Sequence, residues 1–177
     1  MANKTLSFPQ SIQATQSLMN KIETEKLDES TIEKEISTIV NTKNGGRGFF
    51  VAYLTSDMSL ADNPSSGVIN GLKTATEIVN ELLVKNLAMS SAIAIAHDRN
   101  HDIDNVKGSQ KVTQRTSNII RKMNLDTIDN ELKKLQDTIA KGQGDYEDFL
   151  ERWGYDLEQK QAIQQAISNV LQPFSVE

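Results

Sequence analysis

The stretch that decides the fold is Thr74–His97, which reads TATEIVNELLVKNLAMSSAIAIAH and is the most apolar and most regular part of the chain. Its first residue, Thr74, is followed three positions later by Glu77. This is the spacing of a capping box, in which the two side chains bind the open amides at the start of a helix. We therefore predict a helix over Ala75–His97 at the centre of the core.

A polar stripe and an apolar face support this helix. Glu77, Glu81 and Lys85 recur every four residues, so they lie on one side of it. The opposite side carries the apolar residues Ala75, Ile78, Val79, Leu82 and Leu83. After Lys85 no charged residue follows until Asp98, so most of the circumference between Asn86 and His97 can be buried.

Length and composition restrict the class of protein. The chain has 177 residues, no cysteine and a net charge of −5, which predicts one domain without disulfides or thiolate metal sites. The N-terminus has no apolar signal core, and the longest uncharged run is too short and too polar to span a bilayer. We therefore expect a cytoplasmic protein with no membrane partner. The acidic balance makes nucleic acid an unfavourable partner.

Helical periodicity recurs on both sides of the central helix. Pro9 suits the first turn of a helix running to about Lys26, and Ser30 with Glu33 forms a capping box for the next one. Further helices are predicted over 107–124, after Asp126, over 145–154 and after Asp156, which forms a capping box with Gln159. These elements predict an all-α fold, a single-domain, bundle-like array of seven to eight helices over residues 1–177, with residues 1–8 as a loose arm.

The segment between the second helix and the central one is ambiguous. Its glycines, Gly45, Gly46 and Gly48, predict a turn that stops the second helix. The alternative is an anion held by backbone amides beside Arg47, but the Lys-Ser/Thr of a phosphate loop is missing. Phe49–Thr55 has the composition of a strand. No second segment can pair with it, so we predict a short buried helix.

One part of the chain resembles a known group of proteins. The sequence GGRGFFVAYL at Gly45–Leu54, followed by the long apolar helix, is similar to small hypothetical proteins of cyanobacteria. The resemblance implies an all-helical cytosolic protein and no known activity.

The two histidines of the chain, His97 and His101, form the first candidate site. They are four residues apart, so they share one face if the helix continues. Imidazoles at this spacing can bind a divalent metal, with Asp98 or Asp102 as a ligand or as a hydrogen-bond acceptor. No third ligand can be identified, and the alternative is a polar helix end. A metal-binding protein or metal-dependent enzyme is therefore one alternative function, and we predict no catalytic residue and no cofactor.

A polar arc on the apolar side of the central helix is the second candidate site. At about 100° per residue, its members project in nearly the same direction: Asn86, Ser90, His97 and His101. Buried polar groups need hydrogen-bond partners, so the arc either bonds neighbouring helices or lines a pocket for a small ligand.

Charge and aromatic content indicate the third candidate site, an interaction surface. One helix face is basic and carries Lys107, Lys111, Arg115 and Lys122. An acidic segment after it concentrates the aromatic residues Tyr146, Phe149 and Trp153. Oppositely charged surfaces favour association. The leading prediction is therefore a non-enzymatic helical domain that acts through protein–protein contact, as a homo-oligomer or an assembly factor.

Overall fold

The computed structural model describes residues 5–173, and in this part of the chain the secondary structure consists of nine α-helices and one short 3₁₀ turn, with no strand. The helices are α1 (Phe8–Glu25), α2 (Glu29–Ile39), α3 (Lys43–Thr55), α4 (Ser66–Lys73), α5 (Thr76–Arg99), α6 (Ile103–Met123), α7 (Asp126–Lys141), α8 (Glu147–Trp153) and α9 (Leu157–Leu171). The 3₁₀ turn, Ser59–Asp62, lies between α3 and α4. The all-α prediction is confirmed, with more helices than the seven or eight expected.

The chain falls into two compact units, Met1–Leu82 and Leu83–Glu177, and their boundary lies inside α5. A single domain therefore stays a prediction. Of the predicted N-terminal arm, residues 1–4 lie outside the described part of the chain. Ser7 is the N-cap of α1 and forms a capping box with Gln10, so the helix begins at Phe8.

In the first unit, α1 and α3 approach closely because α3 has glycine where they meet. A β-carbon on Gly48 would collide with the Ser11 hydroxyl and would lie 2.8 Å from the Phe8 carbonyl oxygen. The Ser11 hydroxyl lies 2.7 Å from that carbonyl oxygen and 3.1 Å from the carbonyl oxygen of Asn44. The backbones of the two helices therefore meet through one serine and one glycine.

The prediction that Gly45, Gly46 and Gly48 form a turn is wrong. All three lie inside α3, and their φ angles are not positive. Thr42 is the N-cap of α3, and its hydroxyl accepts a hydrogen bond from the Gly45 amide at 3.1 Å. These glycines serve close packing rather than a left-handed turn, since a β-carbon at each would contact a neighbouring group.

The predicted buried helix over Phe49–Thr55 is confirmed as the second half of α3. Phe49, Phe50 and Tyr53 are all at most 1% exposed. The ring of Phe49 packs against both of the others, with centroids 5.2 Å apart in each pair. An aromatic cluster on one helix therefore supplies much of the core of this unit.

Two predicted capping boxes are wrong. The N-cap of α2 is Asp28, whose carboxylate accepts from the Thr31 amide at 2.8 Å, so Ser30 lies inside the helix. Thr74 is the C-cap of α4, and its hydroxyl donates to the Gly71 carbonyl at 2.7 Å. The cap of α2 thus lies two residues before Ser30, and α5 begins only at Thr76, so the Ser/Thr-x-x-Glu spacing alone does not locate a helix start.

The pair α2 and α4 repeats the close approach seen between α1 and α3. A β-carbon on Gly71 would lie 2.7 Å from the β-carbon of Ile36. At the start of α4, the carboxylate of Glu29 accepts a hydrogen bond from the Gly67 amide at 2.5 Å. No side chain of α4 itself caps this end, so a carboxylate from α2 takes that place and complements the helix dipole.

The second unit has its core on α5, α6, α7 and α9. Its fully buried side chains include Leu83, Val84, Leu87, Ile119, Met123, Ile128, Leu132, Leu135, Ile163 and Ile167. The predicted capping box of Asp156 and Gln159 is confirmed. Gly142 and Gly154 end α7 and α8 with positive φ, as expected of left-handed C-caps.

The prediction that α5 is buried on most sides holds only for part of its second half. Ser90, Ser91 and Ala92 are buried, whereas Ile93 is 48% exposed and residues 94–97 are only partly buried. By length and composition α5 could cross a membrane, but core helices of soluble proteins pass the same test, and 56% of the relevant window is buried.

Candidate functional site

Three residues of the predicted polar arc, Asn86, Ser90 and His97, lie on α5, whereas His101 does not. Ser90 is 5% exposed, and its hydroxyl donates to the Asn86 carbonyl at 2.7 Å. The same hydroxyl oxygen accepts a hydrogen bond from Thr113 of α6 at 2.7 Å. His97 lies in the last turn of α5, and His101 lies beyond its end. Ser90 is thus part of the contact between α5 and α6.

The helix does not persist through the histidine pair. Helix α5 ends at Arg99, and His101 follows with φ of 57°, so the two imidazoles are not on one helical face. Asp102 caps α6 by accepting from the Asn105 amide at 3.2 Å. Hydrogen bonds from the Asn105 side chain and amide hold the pKa of Asp102 below its usual value. Asp98 is exposed. Within residues 5–173 no group of three or more His, Cys, Asp or Glu side chains could hold a metal ion.

The basic face of α6 is smaller than its sequence suggests. Lys107 and Lys122 are exposed and Lys111 is half-buried, but Arg115 is 3% exposed and belongs to the interior. The guanidinium of Arg121 donates to the Asn169 carbonyl of α9 at 3.0 Å. The cations of this helix therefore serve both the surface and helix packing.

The aromatic residues around α8 divide between the interior and the surface. Tyr146 is buried, and its hydroxyl donates to the Glu131 carboxylate at 2.7 Å. Phe149 packs edge-on against the rings of Tyr146 and Tyr155, with Lys85 at 5.8 Å from its centroid. Trp153, at the end of α8, is 50% exposed.

An ion cluster that the sequence does not reveal joins the end of α5 to the start of α9; we call it the Arg99 cluster. Arg99 donates hydrogen bonds to the Asp156 carboxylate from two guanidinium nitrogens, at 2.6 and 3.2 Å. It also donates to Glu158 through Nε at 3.1 Å. Its Nη2 also contacts the Glu158 carboxylate. A guanidinium suits such bidentate contacts because its donors are planar and fixed.

The contacts within the Arg99 cluster shift the pKa values of Asp156 and Arg99. Hydrogen bonds from Arg99, followed by the bond from the Gln159 amide, lower the pKa of Asp156 from 3.8 to about 2. The same contacts with Asp156 and Glu158 raise the pKa of Arg99. The capping box had indicated that Asp156 begins a helix, but nothing in the spacing of the residues indicated that Arg99 would bind it.

Three large, exposed apolar side chains lie close in the chain to members of the Arg99 cluster; we call them the apolar rim. They are Ile103, Trp153 and Leu157, exposed by 64%, 50% and 73%. Leu157 lies between Asp156 and Glu158 in the chain. Ile103 is four residues after Arg99 and Trp153 is three before Asp156, which places their Cα atoms within about 14 and 11 Å of those partners. The backbone at each exposed apolar residue therefore lies within about 14 Å of a charged member of the cluster.

Comparison with known proteins places the chain in one family. A family model described as uncharacterised conserved protein UCP020893 matches residues 7–170. No curated protein and no solved structure matches the chain.

Proposed function

We propose that this chain, which belongs to the family of uncharacterised conserved protein UCP020893, is a non-enzymatic helical domain that acts through protein–protein contact. The family description assigns no reaction. The described surface of the second unit supports the proposal instead.

The observation that carries the proposal is the apolar rim. Single exposed apolar residues are common on soluble proteins and need no explanation. Here three of the five large apolar side chains that are exposed in residues 5–173 belong to the two short segments that the Arg99 cluster joins. Protein–protein interfaces combine apolar with charged side chains, and tryptophan is among the residues that most often anchor one.

The partner is either a second copy of the chain or a different protein. Self-association is predicted from one acidic and one basic surface. Of these two surfaces, the acidic one remains at the start of α9. The basic one is reduced to the lysines of α6, because Arg115 is buried. A cytoplasmic location and the narrower kinship with cyanobacterial proteins remain part of the proposal, the latter supported by the segment Gly45–Leu54.

Two variants test the proposal. Leu157→Asp places a charge in the apolar rim, whereas Val51→Asp makes a comparable change at a side chain of α3 that is 45% exposed and lies in the first unit. Sedimentation of the wild type at low and high salt reports self-association, and crosslinking in extract of the native host reports another partner.

We expect the wild type to form a complex that Leu157→Asp disrupts and Val51→Asp leaves intact. The proposal is overturned by a wild type that is monomeric at both salt concentrations and crosslinks to nothing. It is also overturned if the two variants behave alike.

The small-ligand and metal alternatives stay predictions with less support. The hydroxyl of Ser90 is engaged by Asn86 and Thr113, and a helix end separates His97 from His101. Neither arrangement gives a reason to prefer these functions over protein–protein contact.

A further inference from the structure

We infer that the apolar rim receives a cationic amphipathic segment of a partner protein, in which lysine or arginine residues flank apolar side chains. This inference rests on the proposed function and adds the chemistry of the partner. It is drawn from the charges around the rim.

Acidic residues predominate in the two segments that form this surface. Residues 98–104 and 151–158 contain six acidic and two basic side chains, a net charge of −4, compared with −5 for the whole chain. Fifteen residues thus carry nearly the whole net charge of the protein. The six acidic residues are Asp98, Asp102, Asp104, Glu151, Asp156 and Glu158.

One of the two basic residues is already neutralised. Arg99 is bound by both Asp156 and Glu158, so an anionic partner would have to displace two carboxylates to reach it. Arg152 is then the basic residue left to meet an anion. The field at this surface therefore repels phosphate-rich partners and attracts cations.

Negative charge alone would attract any cation, but the apolar rim restricts the kind of cationic partner that can bind. Ile103, Trp153 and Leu157 can gain binding energy only from a partner that covers them with apolar groups. No metal-binding cluster exists in the described residues. A segment with apolar side chains on one face and cationic ones beside them matches both features, since the apolar face supplies affinity and the charges supply steering.

Trp153 provides a direct probe, because it is the single tryptophan of the chain and is half exposed. We would titrate the full chain with three tryptophan-free amphipathic helical peptides of equal length. They are built from leucine with lysine, leucine with glutamine, and leucine with glutamate. Anionic phospholipid vesicles are the fourth ligand, which tests a membrane surface in place of a protein.

We expect the leucine–lysine peptide to shift Trp153 emission saturably at one peptide per chain. Binding should weaken by about tenfold or more as salt rises from low to several hundred millimolar, because added ions screen exposed charges. The leucine–glutamate peptide and the vesicles should leave the emission unchanged, and the leucine–glutamine peptide should bind more weakly.

Two triple variants with the same change in charge separate this surface from the general acidity of the chain. The test variant combines Asp98→Asn, Asp104→Asn and Glu151→Gln. The control combines Glu23→Gln, Glu25→Gln and Glu35→Gln, which neutralise exposed carboxylates of the first unit. We expect the test variant to bind the leucine–lysine peptide about tenfold more weakly, and the control to bind it as the wild type does.

The outcomes distinguish the inference from the proposed function. Equal binding of the lysine and glutamine peptides, or equal effects of the two triple variants, overturns the cationic partner and leaves the contact surface in place. A shift of Trp153 emission with anionic vesicles also overturns it. If no peptide binds, and if Leu157→Asp associates as strongly as the wild type does, the proposed function itself fails.

Discussion

The hydroxyl oxygen of Ser11 occupies the place where a β-carbon on Gly48 would lie, so α1 and α3 can pack as closely as they do only with glycine at position 48. Gly48→Ala should therefore force the helices apart. We expect the free energy of unfolding to fall by about 1–3 kcal/mol, the usual cost of overpacking. This loss should appear although alanine favours a helix by about 1 kcal/mol. Urea denaturation followed by circular dichroism measures it.

Gly108→Ala is the matched control for that experiment. Gly108 also lies inside a helix, but a β-carbon there would meet nothing within 4 Å. We expect this variant to be more stable than the wild type by about 0.5–1 kcal/mol, because alanine loses less conformational entropy than glycine on folding. If both substitutions change the stability in the same direction, close helix packing is not the role of Gly48.

The carboxylate of Glu29 caps a helix to which it does not belong. It accepts from the Gly67 amide at the start of α4, so Glu29→Ala should lower the stability by about 0.5–2 kcal/mol, as the loss of a cap does. Glu29→Gln keeps an acceptor and should cost less. Amide hydrogen exchange at Gly67 should accelerate most in Glu29→Ala. Unchanged exchange there would mean that the carboxylate acts only on its own helix.

The fold could be predicted from the sequence where the competing structure could be ruled out. The segment Phe49–Thr55 had the composition of a strand, and the absence of a partner strand correctly favoured a helix. The glycines before it were misinterpreted because glycine permits both a left-handed turn and a close approach. For Gly48 the deciding residue is Ser11, which is distant in the chain and has no recognisable link to it.

The candidate site was less accessible to prediction for a similar reason. Local spacing identified Asp156 as a cap, but its second partner, Arg99, lies 57 residues away. The basic pattern of α6 was interpreted as a surface, yet Arg115 is buried. A charged residue beside an apolar stripe gives the same sequence pattern whether it faces solvent or is covered by another helix.

His101→Ala tests the predicted metal site. Because α5 ends before His101 and no third ligand lies in the described residues, we expect wild type and variant to contain equal metal by elemental analysis after dialysis against a divalent ion. A stoichiometric ion in the wild type that His101→Ala removes would establish the site and show that the two histidines bind one ion despite the helix end between them.

Arg99→Gln tests the electrostatics of the Arg99 cluster. The pKa of Asp156 is lowered from 3.8 to about 2, chiefly by hydrogen bonds from Arg99. A carboxyl group whose pKa is lower in the folded state stabilises the fold above its unfolded pKa, and this contribution disappears as the pH falls from about 4 towards 2.

In Arg99→Gln the pKa of Asp156 should rise towards 3.8 but stay below it, since the Gln159 amide still donates to the carboxylate. The loss of stability should then still begin at about pH 4, but it should be smaller and should end at a higher pH than in the wild type. Carbon-13 NMR titration of the side-chain carboxyl groups measures the shift, with Asp28 as the control. The pKa of Asp28 is lowered by hydrogen bonds from Thr31 without any arginine, so it should be the same in both proteins. A pKa of Asp156 that stays near 2 in Arg99→Gln would show that capping, and not the guanidinium, keeps this carboxylate ionised.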